Sequence, residues 1–176
     1  MIERQHRKGD ADSLAVYSDC ETYRYTLTRV WDAYRPRALF VMLNPSTATE
    51  VQNDPTVERC ERRARALGFG SFRVCNIFAL RQTDPKLMRS HPEPVGSAND
   101  SAIVEACFWA DQIVCAWGVH GEHLDRGPKV EALMRGTGAT LHTLGLTRQG
   151  HPRHPLSLSY AARPRPWPAT GISGQA

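Results

Sequence analysis

Arg37-Ala38-Leu39-Phe40-Val41-Met42-Leu43-Asn44-Pro45-Ser46 is the stretch whose reading decides the fold. An unbroken apolar run that stops at Asn-Pro-Ser reads as a strand covered on both faces that opens into a loop, because a half-exposed strand would alternate. Downstream, Asp54-Pro55-Thr56 offers a capping carboxylate followed by proline at the first helical position. Apolar or small residues then recur at Val57, Cys60, Ala64 and Leu67, which predicts a helix ending at Gly68. A second strand over residues 72–78 follows almost at once, and strand, helix, strand in that order favours parallel pairing.

The pattern repeats to the end of the chain. A proline-rich excursion spans residues 84–95, and a helix starts at Asn99-Asp100-Ser101. An apolar strand covers residues 112–118, a helix passes through residues 129–134, and a last strand occupies residues 140–145. The expectation is an α/β fold: a three-layer sandwich with a mostly parallel central sheet of about four strands. Residues 24–31 alternate and read as an edge strand. Residues 1–12 are polar and residues 161–176 are rich in proline and small side chains, so both are expected to be loosely ordered. No repeat and no linker divides residues 1–176, which read as a single domain.

An apolar fraction of 41% and a charged fraction of 23% argue against disorder along most of the chain. No run of apolar residues is long enough to span a bilayer, and Met1-Ile2-Glu3-Arg4-Gln5 has no signal-peptide core, so a cytoplasmic location without membrane contact is expected. The five cysteines form no Cys-x-x-Cys pair, which favours buried thiols over a cluster or a disulfide framework. A net charge of +4 permits nucleic-acid binding without requiring it. Neither a P-loop nor a dinucleotide fingerprint is present, so no cofactor is expected.

Parallel sheets bind ligands beyond the carboxyl ends of their strands, which selects residues 44–47, 76–81, 117–120 and 150–157. Asn44 and Asn76 each carry an acceptor and donors on one planar group, able to read a base edge or orient water. Gly150-His151-Pro152-Arg153-His154-Pro155-Leu156-Ser157 sets two histidines and an arginine on a proline-stiffened backbone. His120 with His123 and His151 with His154 have metal-ligand spacing. Pro152 keeps the second pair out of a helix interior, however, and neither pair has a glutamate in the zincin position, so no metal is assigned. Arg59, Arg62, Arg63 and Arg65 on the first helix are either a solvated face or a phosphate contact.

Taken in order, these segments resemble the uracil-DNA glycosylase superfamily. Phe40-Val41-Met42-Leu43-Asn44-Pro45-Ser46 is similar to its first motif, in the asparagine version of the mismatch-specific and thymine enzymes. Val74-Cys75-Asn76-Ile77-Phe78 is similar to the strand whose asparagine reads the Watson–Crick edge. Val114 to His120 resembles the strand that ends in Trp-Gly, and His151 to Ser157 the His-Pro-Ser-Pro-Leu-Ser loop that enters DNA. More closely, the chain resembles the DUF1643 proteins, whose Leu-Asn-Pro-Ser, Cys-Asn-Ile-Phe, Trp-Gly and Gly-x-Pro-x-His-Pro-Leu pattern it follows from about Tyr25 to Trp167.

The resemblance implies a DNA glycosylase that flips out a base and cleaves its N-glycosidic bond. It places Asn44 on the attacking water and His154 on the departing base. Asn76, Ser46, Thr47 and Phe78 would contact the base, and His151, Arg153, Ser157, Trp117 and His120 the DNA. The last motif carries one extra residue, which leaves His151 as the alternative catalytic histidine; His154 is preferred because His-Pro-Leu falls on it. The first motif lacks the water-activating aspartate of the uracil enzymes, and Ser46 stands where those carry a bulky tyrosine. The implied base is therefore larger than uracil: thymine, a 5-modified cytosine, or a hypermodified base of phage DNA removed in antiviral defence. The expected partner is duplex or single-stranded DNA, and the expected state is a monomer. The alternatives are a non-catalytic nucleic-acid binder of the same fold, and an N-glycosidase or transferase acting on free nucleosides or nucleotides.

Overall fold

In the computed structural model, which describes residues 1–170, the chain begins with a hairpin. Strands β1 (Ile2–Lys8) and β2 (Ala11–Tyr17) pair antiparallel from Ile2 opposite Tyr17 to Lys8 opposite Ala11. Gly9 takes φ 59° at the first of two turn positions, a conformation that glycine adopts freely and that suits the twist of a two-residue hairpin. The opening residues, expected to be frayed, are thus held by a main-chain ladder. Their polar sequence reflects an edge strand exposed on both faces.

The elements that follow are β3 (Arg24–Val30), β4 (Arg37–Met42), α1 (Pro55–Ala66), β5 (Ser71–Asn76), α2 (Pro85–Ser90), α3 (Asn99–Trp109) and β6 (Gln112–Cys115). A 3₁₀ segment at Val119–Asp125 leads into α4 (Arg126–Arg135), then β7 (Leu141–Thr143), a 3₁₀ turn at Pro155–Ser157 and β8 (Arg165–Pro166). Asp54 caps α1, its carboxylate accepting from Val57 N–H, with Pro55 at the first helical position.

The expected mostly parallel four-stranded sandwich does not hold. One sheet of eight strands runs in the order β1-β2-β3-β5-β4-β6-β7-β8. Four of its pairings are antiparallel (β1 with β2, β2 with β3, β3 with β5, β7 with β8) and three are parallel (β4 with β5, β4 with β6, β6 with β7). Continuous apolar runs mark only strands covered on both faces, so the hairpin and the last short strand escape that criterion. For the same reason β3 is interior, between β2 and β5, and not an edge strand.

Alternate residues of β4 feed two cores. Ala38, Phe40 and Met42 meet Val57, Cys60 and Ala64 of α1 on one face. Leu39, Val41 and Leu43 meet Ile103, Ala106, Val130 and Met134 of α3 and α4 on the other. Burying both faces is what removes every polar residue from the run. Four cysteines are buried, and burial pushes the thiols of Cys60 and Cys75 up to about 12; Cys20, in contrast, is exposed. No helix among the described residues is long and apolar enough to cross a membrane.

The expectation of a loose carboxyl-terminal tail fails for residues 161–170; residues 171–176 lie outside the described part. Trp167 is 8% exposed and packs edge-on against Trp117 with ring centroids 5.8 Å apart. Its N–H donates to Leu141 O at 2.8 Å, and its carbonyl accepts from Arg135 Nη2 at 2.7 Å. Replacing a buried tryptophan by alanine typically costs about 3–5 kcal/mol. Trp167→Ala is therefore expected to lower unfolding stability by about that amount in urea denaturation, and a loss under about 1 kcal/mol would show the segment to be loosely docked.

Candidate functional site

The turn after β4 descends between α1 and the loops that follow β5, β6 and β7, leaving a cleft of about 410 Å³. Asn44, Ser46, Asp54, Trp117, His120 and His154 are among its walls. Below it lies a cavity of about 30 Å³, bounded by Arg24, Asn44, Ser46, Asp54, Asn76 and His154 among others. Such a volume accommodates about one water molecule, and its walls are polar enough to hold one. Asn44 and His154, 110 residues apart in sequence, therefore face one small space.

The site's residues are held by their neighbours. Asn44 Nδ2 donates to Gln82 O at 2.7 Å, Pro45 O at 3.1 Å and Leu80 O at 3.2 Å, so its amide nitrogen clamps the loop and only Oδ1 is left for a ligand. Asp54, 7% exposed, accepts from Val57 N–H at 2.9 Å and Ala48 N–H at 3.2 Å. His154 Nδ1 accepts from Leu156 N–H at 3.3 Å, which puts the proton of the neutral ring on Nε2. Burial lowers the His154 pKa from the usual histidine value, and the nearby Asp54 carboxylate partly opposes the shift.

Arg24 is the residue the sequence gives least notice of. Placed at the start of an alternating strand, it reads as solvent-facing, yet it is 1% exposed. Its guanidinium donates to Ala48 O at 3.0 Å and to Asn76 Oδ1 at 3.4 Å, and burial lowers its pKa to about 10. Asp54 is legible as a helix cap, but its second position at the site depends on where α1 begins. Gln82, in a loop, and Thr56, in the first turn of α1, also line the cleft without any signal beyond those places.

Several expected site residues lie elsewhere. Asn76 borders only the inner cavity, behind the cleft walls, and so does not face the larger space. Phe78 is fully buried in the apolar core against the His123 ring, 5.7 Å between centroids, and borders neither the cleft nor the inner cavity. Thr47 is exposed on a neighbouring open groove. His151 borders neither cavity and pairs through Nε2 with Glu122 at 2.9 Å, so of the two histidines in this loop His154 is the one at the cleft. Arg153 and Ser157 are exposed on the loop beside it. His120 sits at the cleft mouth, 2.5 Å from Arg89 Nη1.

Trp117 forms a buried wall, and two glycines press on its indole. A Cβ at Gly121 would stand 2.4 Å from Trp117 Cδ1. Among the described residues, no three His, Cys, Asp or Glu side chains converge as a metal site would require.

With this geometry in place, the chain can be compared with known proteins. Residues 24–156 match the family described as Protein of unknown function (DUF1643). The chain belongs to the DUF1643 family. The match spans β3 through the loop carrying His154 and stops short of the Trp167 reached by the motif pattern. No curated protein and no solved structure matches it.

Because the folded pKa of His154 is lowered, the unfolded chain binds its proton first as pH falls. The stability of this DUF1643 protein is therefore expected to be complete above the ordinary histidine value of 6.5 and to decline as pH drops below it. Thermal unfolding of wild type and His154→Gln between about pH 7.5 and 5.5 tests this: the variant should lose less stability, and parallel curves would refute it.

Proposed function

We propose that the protein hydrolyses N-glycosidic bonds, acting on a modified or mismatched base presented from DNA into the 410 Å³ cleft. The observation that supports this reading is the meeting of Asn44, Asp54 and His154 around one water-sized cavity at the cleft floor. The resemblance of the four loop motifs to uracil-DNA glycosylases supports it independently. The cleft volume falls within the usual range for a small ligand. No lysine or arginine is among its walls, so phosphates are better served outside while an uncharged base or nucleoside enters.

In the proposed reaction the bond between C1′ and the base nitrogen breaks, and its electron pair leaves with the base while the sugar becomes oxocarbenium-like. His154 Nε2–H donates to the anion developing on the base, as a neutral imidazole kept so by burial. That tautomer has no free acceptor on Nε2, so His154 cannot also take a proton from water. Among the described residues Asp54 is the only carboxylate on the cleft walls and fills that role, while Asn44 Oδ1 orients the water that adds to C1′. Asp54 thus supplies the base that the first motif lacks. Ser46 leaves room for a substituent at C5 of a pyrimidine, which favours thymine, a 5-modified cytosine or a hypermodified phage base.

Duplexes and single strands carrying each of these bases, assayed for abasic sites, test the reading. Excision of at least one is expected, with Asp54→Asn and His154→Gln each slowing it about 100- to 1,000-fold. Asn at position 54 can still cap α1 through one oxygen but loses the second acceptor, which Ala48 N–H uses, so rates are compared only after circular dichroism and thermal unfolding show the variant folded. No excision from any substrate, or variants as fast as wild type, would overturn the proposal. Hydrolysis of free nucleosides alone would move the substrate outside DNA.

A further inference from the structure

All 18 carboxylate side chains of the chain precede residue 132. Beyond that point the sequence holds five arginines and no Asp, Glu or Lys, a charge of +5 against −1 for the residues before it, which sums to the net +4. Arg135 pairs with Glu131, but Arg148, Arg153, Arg163 and Arg165 are exposed and none has a carboxylate within salt-bridge distance among the described residues. A solvated charged face normally mixes both signs; four guanidiniums without a counter-charge are a different arrangement.

The fold gathers these four around the end of β7. Arg165 lies in β8, opposite Thr143. The N–H of Arg153 donates to Gly145 O at 2.9 Å, and Arg148 sits in the turn closed by Gly150 N–H to Thr147 O at 2.9 Å. Arg163 follows Ala162, whose carbonyl accepts from Arg63 at 2.5 Å. Between them runs the loop that delivers His154 and Leu156 to the cleft. Helix α1 fixes this arm from below, Arg59 donating to Pro155 O at 3.2 Å and to Leu158 O, and Arg63 to Ser159 O at 3.2 Å. The arginines of α1 are thereby occupied: Arg62 pairs with Glu58, and Arg65 with Asp10 and Glu61. None of them is left for phosphate.

We infer that the acid-free arm formed by residues 144–167 is the phosphate-binding track that leads a nucleic-acid strand past the cleft. Arginine alone, with no lysine, suits phosphate, because its planar fork donates two parallel hydrogen bonds to one group. Pinning the backbone of the arm fixes where these side chains originate, and Arg153 is further held by its Nε donating to Leu146 O at 3.2 Å. The inference deepens the proposed function, on which it rests for what the strand delivers. Binding itself is independent of excision.

Fluorescence anisotropy with an unmodified labelled duplex and single strand, from about 50 to 200 mM salt, tests it without any chemical step. Each phosphate contact contributes about 0.9 to the slope of log affinity against log salt on duplex DNA. Changing Arg148, Arg153, Arg163 and Arg165 together to Gln should flatten that slope by about 3 to 4. Wild type should then lose about 100-fold more affinity than the variant across this range. A variant that spares Arg153, whose Nε also donates to Leu146 O, should keep about three-quarters of the effect and guards against misfolding. Changing Arg4, Arg7, Arg35 and Arg62 to Gln alters the net charge equally elsewhere and should leave the slope unchanged.

The inference is overturned if wild type shows no salt-dependent binding, if the control variant matches the arm variant, or if polyglutamate binds as tightly as DNA and with the same losses. A flattened slope without abasic product would retain the track and discard the glycosylase; abasic product with an unchanged slope would do the reverse.

Discussion

Arginine donors on backbone carbonyl oxygens hold the irregular parts of this protein in place. The loops that build the site have carbonyls that no helix or ladder satisfies, and each one buried without a partner would cost about 1–3 kcal/mol. From β3, Arg24 reaches Ala48 O and Arg29 reaches Thr49 O, which fixes the loop between β4 and α1. From the helices, Arg59 and Arg63 hold residues 155–162, Arg126 holds Ile77 O, and Arg135 holds Trp167 O. Five donors in a rigid fork let one side chain satisfy several strands of loop at once. The penalty is desolvation of the cation: burial pushes Arg24 down to about 10, which still leaves it charged near neutrality.

These clamps decide what the cleft can be. The carbonyl of Ala48 is held by Arg24 and its N–H by Asp54, so the loop beyond Asn44 is fixed through both peptide groups that flank one residue. Asn44 itself closes the loop onto Leu80 and Gln82. The polar side chains at the cavity are thus mostly engaged with backbone on one side, leaving one free atom each for the interior: Oδ1 of Asn44 and Nε2 of His154. A site with so little freedom is suited to stabilising charge as it develops rather than to following a flexible ligand.

How much of this is legible in the sequence depends on what kind of burial each residue has. The run at residues 38–43 is unambiguous because both its faces are covered, and α1 is announced by Asp54-Pro55. The pairing of Asn44 with His154 is legible too, since both follow strands whose ends must lie on one side of the sheet. The antiparallel half is legible only as the strand at residues 24–30, not in its interior place or in the hairpin beside it. β1 is exposed on both faces, and β3 carries Arg24 and Arg29, whose burial depends on loop carbonyls far along the chain. Asn76 and Phe78 show the same limit in reverse: adjacency to a motif suggests contact with a ligand, but side-chain direction after the last paired residue is set by packing. Trp167 reads as part of a proline-rich tail because its partner, Trp117, is fifty residues away.

The distribution of charge completes the picture physically. The cleft walls contain no lysine or arginine, while the arm beside them contains arginines without counter-charges. Charges on an exposed arm act over a screening length of about 10 Å at ordinary salt, enough to gather a phosphate backbone but too weakly focused to steer electrons in a buried pocket. Within the pocket the effective dielectric is lower, and a single hydrogen-bond donor such as His154 Nε2–H weighs more than several distant cations. In the proposed reaction a cation on the cleft walls would attract phosphate to the space the base is to occupy; Arg24 borders only the small inner cavity. In the proposed reaction the arginines of the arm capture the strand outside the cleft while neutral His154 acts inside it beside the buried Arg24 cation, and one loop runs from the arm into the cleft.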